Sequence, residues 1–99
     1  MIKIEQKMEN NRMTVAIIGR VDTATAPELE KVIDRCDATV AEMIIDMEQV
    51  EYISSAGLRV ILKAQKIMSR QGQLKLRNVN DTIMEIFDIT GFVDILTIE

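Results

Sequence analysis

Polar and apolar residues alternate from the start of the chain. Ile2-Lys3-Ile4-Glu5-Gln6-Lys7-Met8 carries the two-residue period of a half-buried strand. Glu9-Asn10-Asn11-Arg12 is a polar interruption whose asparagines suit a tight turn. Met13-Thr14-Val15-Ala16-Ile17-Ile18-Gly19 resumes the alternation, with Met13, Val15 and Ile17 on one face. These two runs predict an antiparallel hairpin. The period then changes. Leu29, Val32, Ile33 and Cys36 recur at i, i+3, i+4 and i+7, the spacing of one helix face. Thr25-Ala26-Pro27-Glu28 before them fits a capping box with proline in the first turn, so a helix is expected over 26–37 with Cys36 on its buried side.

A third strand is expected within 40–47, where Met43-Ile44-Ile45 is continuously apolar, as in a central strand covered on both faces. Glu48-Gln49 reads as a short turn and Val50-Glu51-Tyr52-Ile53 as extended chain. From Ala56 to Arg70 the helical period returns, with Val60, Ile61, Ala64, Ile67 and Met68 inward and Arg59, Lys63, Lys66 and Arg70 largely outside that stripe. Gln73-Leu74-Lys75-Leu76-Arg77 alternates as a strand. Asn80 is a good N-cap for a third helix over 81–89, Gly91 suits the left-handed residue beyond it, and Phe92 is placed to pack back. Residues 93–98 are expected to be a closing strand at an edge. The order β-β-α-β-α-β-α-β defines an α/β fold: one domain, 1–99, with a mixed sheet, an N-terminal hairpin and helices packed mainly on one side.

Composition narrows the chemistry. With 99 residues, 47% hydrophobic and 28% charged, the chain is long enough for one core and too apolar for disorder. Its apolar runs are far shorter than a membrane span, and the N-terminus lacks a signal-peptide pattern. Together with a single cysteine, Cys36, this reads as a cytoplasmic protein. The absence of histidine removes Ser-His-Asp and Cys-His catalytic units and, with one cysteine, the ordinary zinc sites. A net charge of −4 and only three aromatic residues, Tyr52, Phe87 and Phe92, argue against nucleic-acid binding. No glycine-rich phosphate loop is present.

The remaining feature is Tyr52-Ile53-Ser54-Ser55-Ala56-Gly57-Leu58-Arg59, which holds two of the three serines at a predicted helix start. One reading is a helix cap worth roughly 1 kcal/mol. The other is a modification switch. Helix N-termini present free N–H donors and partial positive charge, so a phosphate is tolerated there, and Arg59 one turn on adds a charge-assisted contact. The added negative charge would repel a docked partner. Leu58 is read either as an exposed apolar contact or as core packing, and Asp22 either as a loop Asx-turn or as a functional group.

Gly19-Arg20-Val21-Asp22 before a capped helix, Ile45-Asp46-Met47, Val50 through Val60 around the serine turn, and Ile86-Phe87-Asp88-Ile89-Thr90-Gly91-Phe92 together resemble the STAS domain, and within it the bacterial anti-sigma factor antagonists. The resemblance covers essentially the whole chain. In that family the turn usually reads Asp-Ser-Ser-Gly-Leu-Gly, and its first serine accepts phosphate from a partner kinase. Counting back from Gly57 makes Ser55 that serine. Ser54 then stands at the aspartate position and is the second candidate acceptor; Ala56 stands at the second serine and Arg59 at the second glycine. Asp22 matches the aspartate of the loop beside the phosphorylated serine. Many members add a C-terminal helix beyond the position of Glu99, and without it one surface is expected to be more open.

The resemblance implies a binding protein, not an enzyme, that needs no cofactor or metal. Its partners would be an anti-sigma factor with serine kinase activity and a phosphoserine phosphatase, with no nucleic acid or membrane involved. The unphosphorylated form would bind the anti-sigma factor and release a sigma factor, and phosphorylation of Ser55 would switch this off. The implied contact surface is Asp22, Thr23, Thr25, Ser54, Ser55, Ala56, Gly57, Leu58, Arg59 and Leu62, on a monomer or weak dimer. Two alternatives stand beside it: a STAS scaffold subunit of a stress-signalling or lipid-transport complex, and an enzyme using carboxylates such as Asp22 and Asp46.

Overall fold

A computed structural model of the chain describes residues 2–99. Five strands form one sheet: β1 (Ile2–Glu9), β2 (Arg12–Val21), β3 (Glu42–Ile53), β4 (Gln73–Arg77) and β5 (Thr97–Ile98). Three helices lie between them in sequence: α1 (Ala26–Ile33), α2 (Ser55–Ser69) and α3 (Asp81–Thr90). The sheet order is β1-β2-β3-β4-β5, with β1 antiparallel to β2 and every other pair parallel. Each parallel step moves one strand in the same direction. Since such crossovers are right-handed, all three helices fall on one face.

One core results. Met13, Val15 and Ile17 of β2, Met43, Ile45 and Met47 of β3 and Leu74 and Leu76 of β4 face the helices. Leu29, Val32 and Ile33 of α1, Ile61, Ala64 and Met68 of α2 and Ile83 and Phe87 of α3 close over them. Among the described residues the opposite sheet face has no helix. It carries half-buried Thr14, Ala16 and Ile18 and an ion-pair chain running across the strands. Arg12 Nε lies 2.6 Å from Glu42, Lys75 Nζ lies 3.2 Å from Glu42, and Lys75 reaches Glu99 at 3.6 Å. Both cations hold the Glu42 carboxyl below its ordinary range, Arg12 more strongly.

The hairpin, the α2 stripe and the ends of α3 form as the pattern predicts. Asn80 caps α3, accepting from the Ile83 N–H at 2.9 Å. Gly91 takes φ 80°, and the Phe92 ring stacks on Phe87 at 6.3 Å between centroids. Three expectations are corrected. Helix α1 ends at Ile33 and not near 37, because its last turn tightens: Arg35 N–H bonds Val32 O at 3.1 Å and Cys36 N–H bonds Ile33 O at 3.0 Å. Cys36 therefore lies beyond the helix, half-buried beside Met68, where burial pushes its thiol pKa up.

Strand β3 also does not stop at Met47. It runs on through Glu48 and Gln49 to Ile53. The register explains this: Ala16 pairs with Asp46 but Ile18 with Gln49, and Gly19 pairs with Val50 but Arg20 with Tyr52. Each shift inserts one extra residue on β3, a bulge that bends the strand without ending it. The Asp46 carboxylate accepts the Glu48 N–H at 3.0 Å at the first bulge. Finally, residues 93–98 are not a continuous strand. The stacking of Phe92 on Phe87 goes with a 3₁₀ turn, Phe92–Asp94, leaving only Thr97 and Ile98 paired with Lys75 and Leu76 at the sheet edge.

Candidate functional site

Parallel neighbours β2 and β3 end together, with Val21 opposite Ile53. The segments leaving them, Asp22 to Thr25 and the serine turn, are therefore brought side by side. The carboxyl end of a parallel sheet is where α/β folds place their sites. A backbone bond ties the two exits: Ser54 N–H donates to Val21 O at 2.8 Å.

Ser54 is the N-cap of α2, with φ −92° and ψ 176°. Its Oγ accepts the Gly57 N–H at 3.4 Å, and its carbonyl accepts the Leu58 N–H at 2.9 Å. Gly57 is buried where the turn meets the strand ends. A Cβ there would stand 2.6 Å from Val21 Cγ1 and 2.7 Å from Ile53 Cγ1, so only glycine lets the helix start approach this closely. Ser55 is the first helical residue and is exposed. Among the described residues its hydroxyl has no hydrogen-bond partner, and neither its N–H nor that of Ala56 finds a protein acceptor. Arg59 is exposed four residues on, which puts its Cβ about 5–6 Å from that of Ser55.

The other segment is a closed hydrogen-bonded loop. Asp22 Oδ1 accepts from the N–H groups of Ala24 and Thr25, both at 3.0 Å, while the Asp22 N–H donates to Thr25 Oγ1 at 2.9 Å. The Ala24 bond is the Asx-turn expected at Asp22, and Thr25, the N-cap of α1, returns a bond to it, whereas the expected Thr25–Glu28 capping box does not form. Thr25 makes no capping bond to α1: its hydroxyl is turned back toward β2, donating to Arg20 O at 2.7 Å while its oxygen accepts the Asp22 N–H. The backbone N–H of Thr25 is the main cause holding the Asp22 carboxyl below its ordinary value.

Between α1 and α2, beside the serine turn, lies an open groove of about 410 Å³ lined by Thr23, Pro27, Glu30, Ala56, Arg59 and Lys63 among others. Lys63 spans it, with Nζ 2.7 Å from Asp34 and 3.0 Å from Glu30. Those carboxylates, Asp34 first, raise its pKa. Glu30 and Lys63 were not among the expected site residues, although Lys63 falls one turn after Arg59 and so shares its face. Arg20, stacked over the Tyr52 ring at 4.6 Å, was likewise not among the expected contact residues; the pairing joins neighbouring strands and leaves no local trace.

The expected contact residues divide in two. Asp22, Thr23, Ser54, Ser55, Ala56 and Arg59 are exposed or half-exposed at one end of the sheet, and Leu62 is half-buried. Thr25, 6% exposed, Leu58, 8% exposed, and Gly57 are buried. They shape the surface from beneath, and Leu58 is core packing, not an exposed contact. Asp22 and Asp46 do not converge: Asp46 lies seven residues before Ile53 on β3, roughly 20 Å at strand spacing, and is tied to Asn78 Nδ2 at 3.2 Å. Among the described residues no cluster of three or more His, Cys, Asp or Glu side chains is placed to hold a metal ion. No helix among them is long and apolar enough to cross a membrane.

A sheet with one hairpin and three one-sided crossovers, carrying a serine turn at the exit of its central strand, matches a known family. The STAS domain family model matches residues 2–99, and the chain belongs to that family. It is similar to the anti-sigma-B factor antagonist of Bacillus subtilis, at 34% identity over 98% of this chain and 90% of that protein. Its fold is shared with a crystal structure of an anti-sigma factor antagonist from Mycobacterium paratuberculosis. That match has a TM-score of 0.89 and 20% identity, over 99% of this chain and 85% of the other. The fold also matches the Bacillus cell fate determinant SpoIIAA in its phosphorylated form. There the TM-score is 0.77 and the identity 16%, over 98% and 91% of the two chains.

Proposed function

We propose that this protein is an anti-sigma factor antagonist of the bacterial cytoplasm, switched by phosphorylation of Ser55. The unphosphorylated form binds an anti-sigma factor that is also a serine kinase, and a sigma factor is released. Transfer of phosphate to Ser55 ends the interaction, and a phosphoserine phosphatase restores it. The names of the relatives support the role. The observation that carries the choice of residue is the Ser55 hydroxyl, exposed and unbonded at the start of α2. Ser54 is half-buried and occupied as the cap.

The local physics supports a phosphate at Ser55 that leaves the fold intact. Two unpaired N–H groups and the positive end of the helix dipole stand beside it, with Arg59 within reach of a charge-assisted bond. The added charge, about −1.5 to −2, would alter the surface shared by the Asp22 loop and the groove. Incubation with the kinase, ATP and Mg²⁺ followed by mass spectrometry tests this. Phosphate is expected on Ser55; its absence from both Ser55 and Ser54 sinks the switch. Ser55→Asp should weaken kinase binding about tenfold or more, a loss of about 1.4 kcal/mol, with the melting temperature nearly unchanged. Equal affinity in the two proteins would contradict the reading.

A further inference from the structure

The sheet has two edges of different kinds. β5 contributes two residues, whereas β1 presents eight. Pairing of β1 with β2 runs from Ile2–Gly19 to Glu9–Arg12 without a register shift, so the outer side of β1 is a regular row of unpaired backbone groups. Of the guards such an edge can carry, β1 lacks proline and bulges, and its charged side chains are of alternating sign, Lys3, Glu5, Lys7 and Glu9. Its side chains are ordered by face. Lys3, Glu5, Lys7 and Glu9 lie on the face away from the helices, and Ile2, Ile4, Gln6 and Met8 on the helix side. Met8 is 49% exposed.

We propose that β1 pairs antiparallel with β1 of a second copy of this chain, about a two-fold axis at Gln6, to give one continuous sheet. The charge order selects this register. Centred on Gln6, Lys3 faces Glu9, Glu5 faces Lys7, and Ile4 faces Met8, each twice. Moving the axis to Glu5 sets Lys3 against Lys7 and Glu5 against itself. Moving it to Lys7 sets Glu5 against Glu9 and Lys7 against itself. A one-residue slip faces Ile4 with Lys7 and Lys3 with Met8 and turns one copy's helices to the other side. Only the Gln6 register pairs opposite charges at every charged position, the arrangement that cross-strand energetics favour, and it covers Met8 with Ile4. Lys7 and Glu9, 3.2 Å apart within one copy and 74% and 62% exposed, exchange that surface contact for cross-strand partners. A single paired edge buries little area by the standard of permanent dimers, so the association is concentration-dependent. It uses the opposite flank of β2 from β3, whose end carries the serine turn, and is independent of the switch.

Sedimentation velocity from about 10 μM to about 1 mM tests it, covering the range expected for a small interface. The wild type should shift from monomer to dimer and dissociate more readily in high salt. Lys7→Glu faces Glu with Glu twice and Glu5→Lys faces Lys with Lys twice. Each should raise the dissociation constant about tenfold or more. Both positions are exposed and oppose the uncharged Thr14 and Ala16 on β2, so folding should be unaffected. An equimolar mixture of the two variants restores opposite charges at both pairs and should associate like the wild type. A wild type that stays monomeric throughout, single variants that dimerise as well as it does, or a mixture no more associated than its components would each overturn the proposal.

Discussion

Replacing Gly57 by Ala tests how the serine turn is held. In an isolated helix the change is favourable by about 1 kcal/mol, because alanine is the better helix former. Here the added methyl would stand 2.6 Å from Val21 Cγ1 and 2.7 Å from Ile53 Cγ1. Both are well inside contact distance, and both side chains are buried at strand ends. They are β-branched and stiff about χ1, so neither can swing aside and the helix start must lift. Overpacking of this kind costs typically about 1–3 kcal/mol. Two simultaneous close contacts put the cost in the upper part of that range. Subtracting the propensity gain leaves a net loss of about 1–2 kcal/mol, or roughly 5–15 °C in melting temperature for a domain of this size. Urea unfolding followed by circular dichroism measures it. The midpoint should fall with an unchanged slope. A variant as stable as the wild type, or more so, would show that the turn is not seated on Val21 and Ile53 and would refute the reasoning.

Three further outcomes follow from the same geometry. Asn80→Ala removes both the cap on Ile83 N–H and the bond from Asn80 Nδ2 to Val50 O at 2.9 Å; it should cost about 1–2 kcal/mol in urea unfolding. Ser54→Ala should cost less, about 0.5–1 kcal/mol, because its capping bond is long at 3.4 Å, while Ser55→Ala should leave the same unfolding midpoint nearly unmoved. Asp22 has a folded pKa depressed below its ordinary 3.8 by the Thr25 and Ala24 N–H groups, so it contributes stability above that value that is lost as pH falls through the folded pKa. Asp22→Asn should therefore melt lower than the wild type at neutral pH, with the gap closing below about pH 4; a gap independent of pH would contradict the assignment.

Elements whose signal lies within one segment were legible in the sequence. The hairpin follows from two alternating runs about an asparagine turn, and α3 from Asn80, an Ile83–Phe87 face and Gly91. What was missed depends on contacts between segments. Glu48-Gln49 looks like a turn because it is polar, yet it is held in β3 by pairing with β2, and a bulge exists only as a register relation between two strands. On paper Thr25-x-x-Glu28 is the capping-box pattern and Asp22 suits an Asx-turn. The Asp22 turn forms, and it uses the Thr25 hydroxyl, which accepts the Asp22 N–H and donates to the Arg20 carbonyl. Val93 and Ile95 read as strand residues, but Phe92 stacks on Phe87 and turns the chain away from the sheet.

The sequence placed the serine pair at a helix start but did not show how its two serines differ. A cap and a switch are rivals only if one residue must be both. Here the backbone separates them. Ser54 has the extended conformation that a capping side chain needs, and its hydroxyl and carbonyl are both used by the first turn. Ser55 has already entered the helix, where no first-turn N–H requires its side chain, and it stays exposed. Capping by Ser54 satisfies Gly57 and leaves the N–H groups of Ser55 and Ala56 without a protein acceptor among the described residues. An anion covalently held at Ser55 would meet those donors. The residue that caps the helix start thus also sets the geometry that the proposed phosphate on its neighbour would meet. Changes at Ser54 should therefore act on stability first, and changes at Ser55 on recognition.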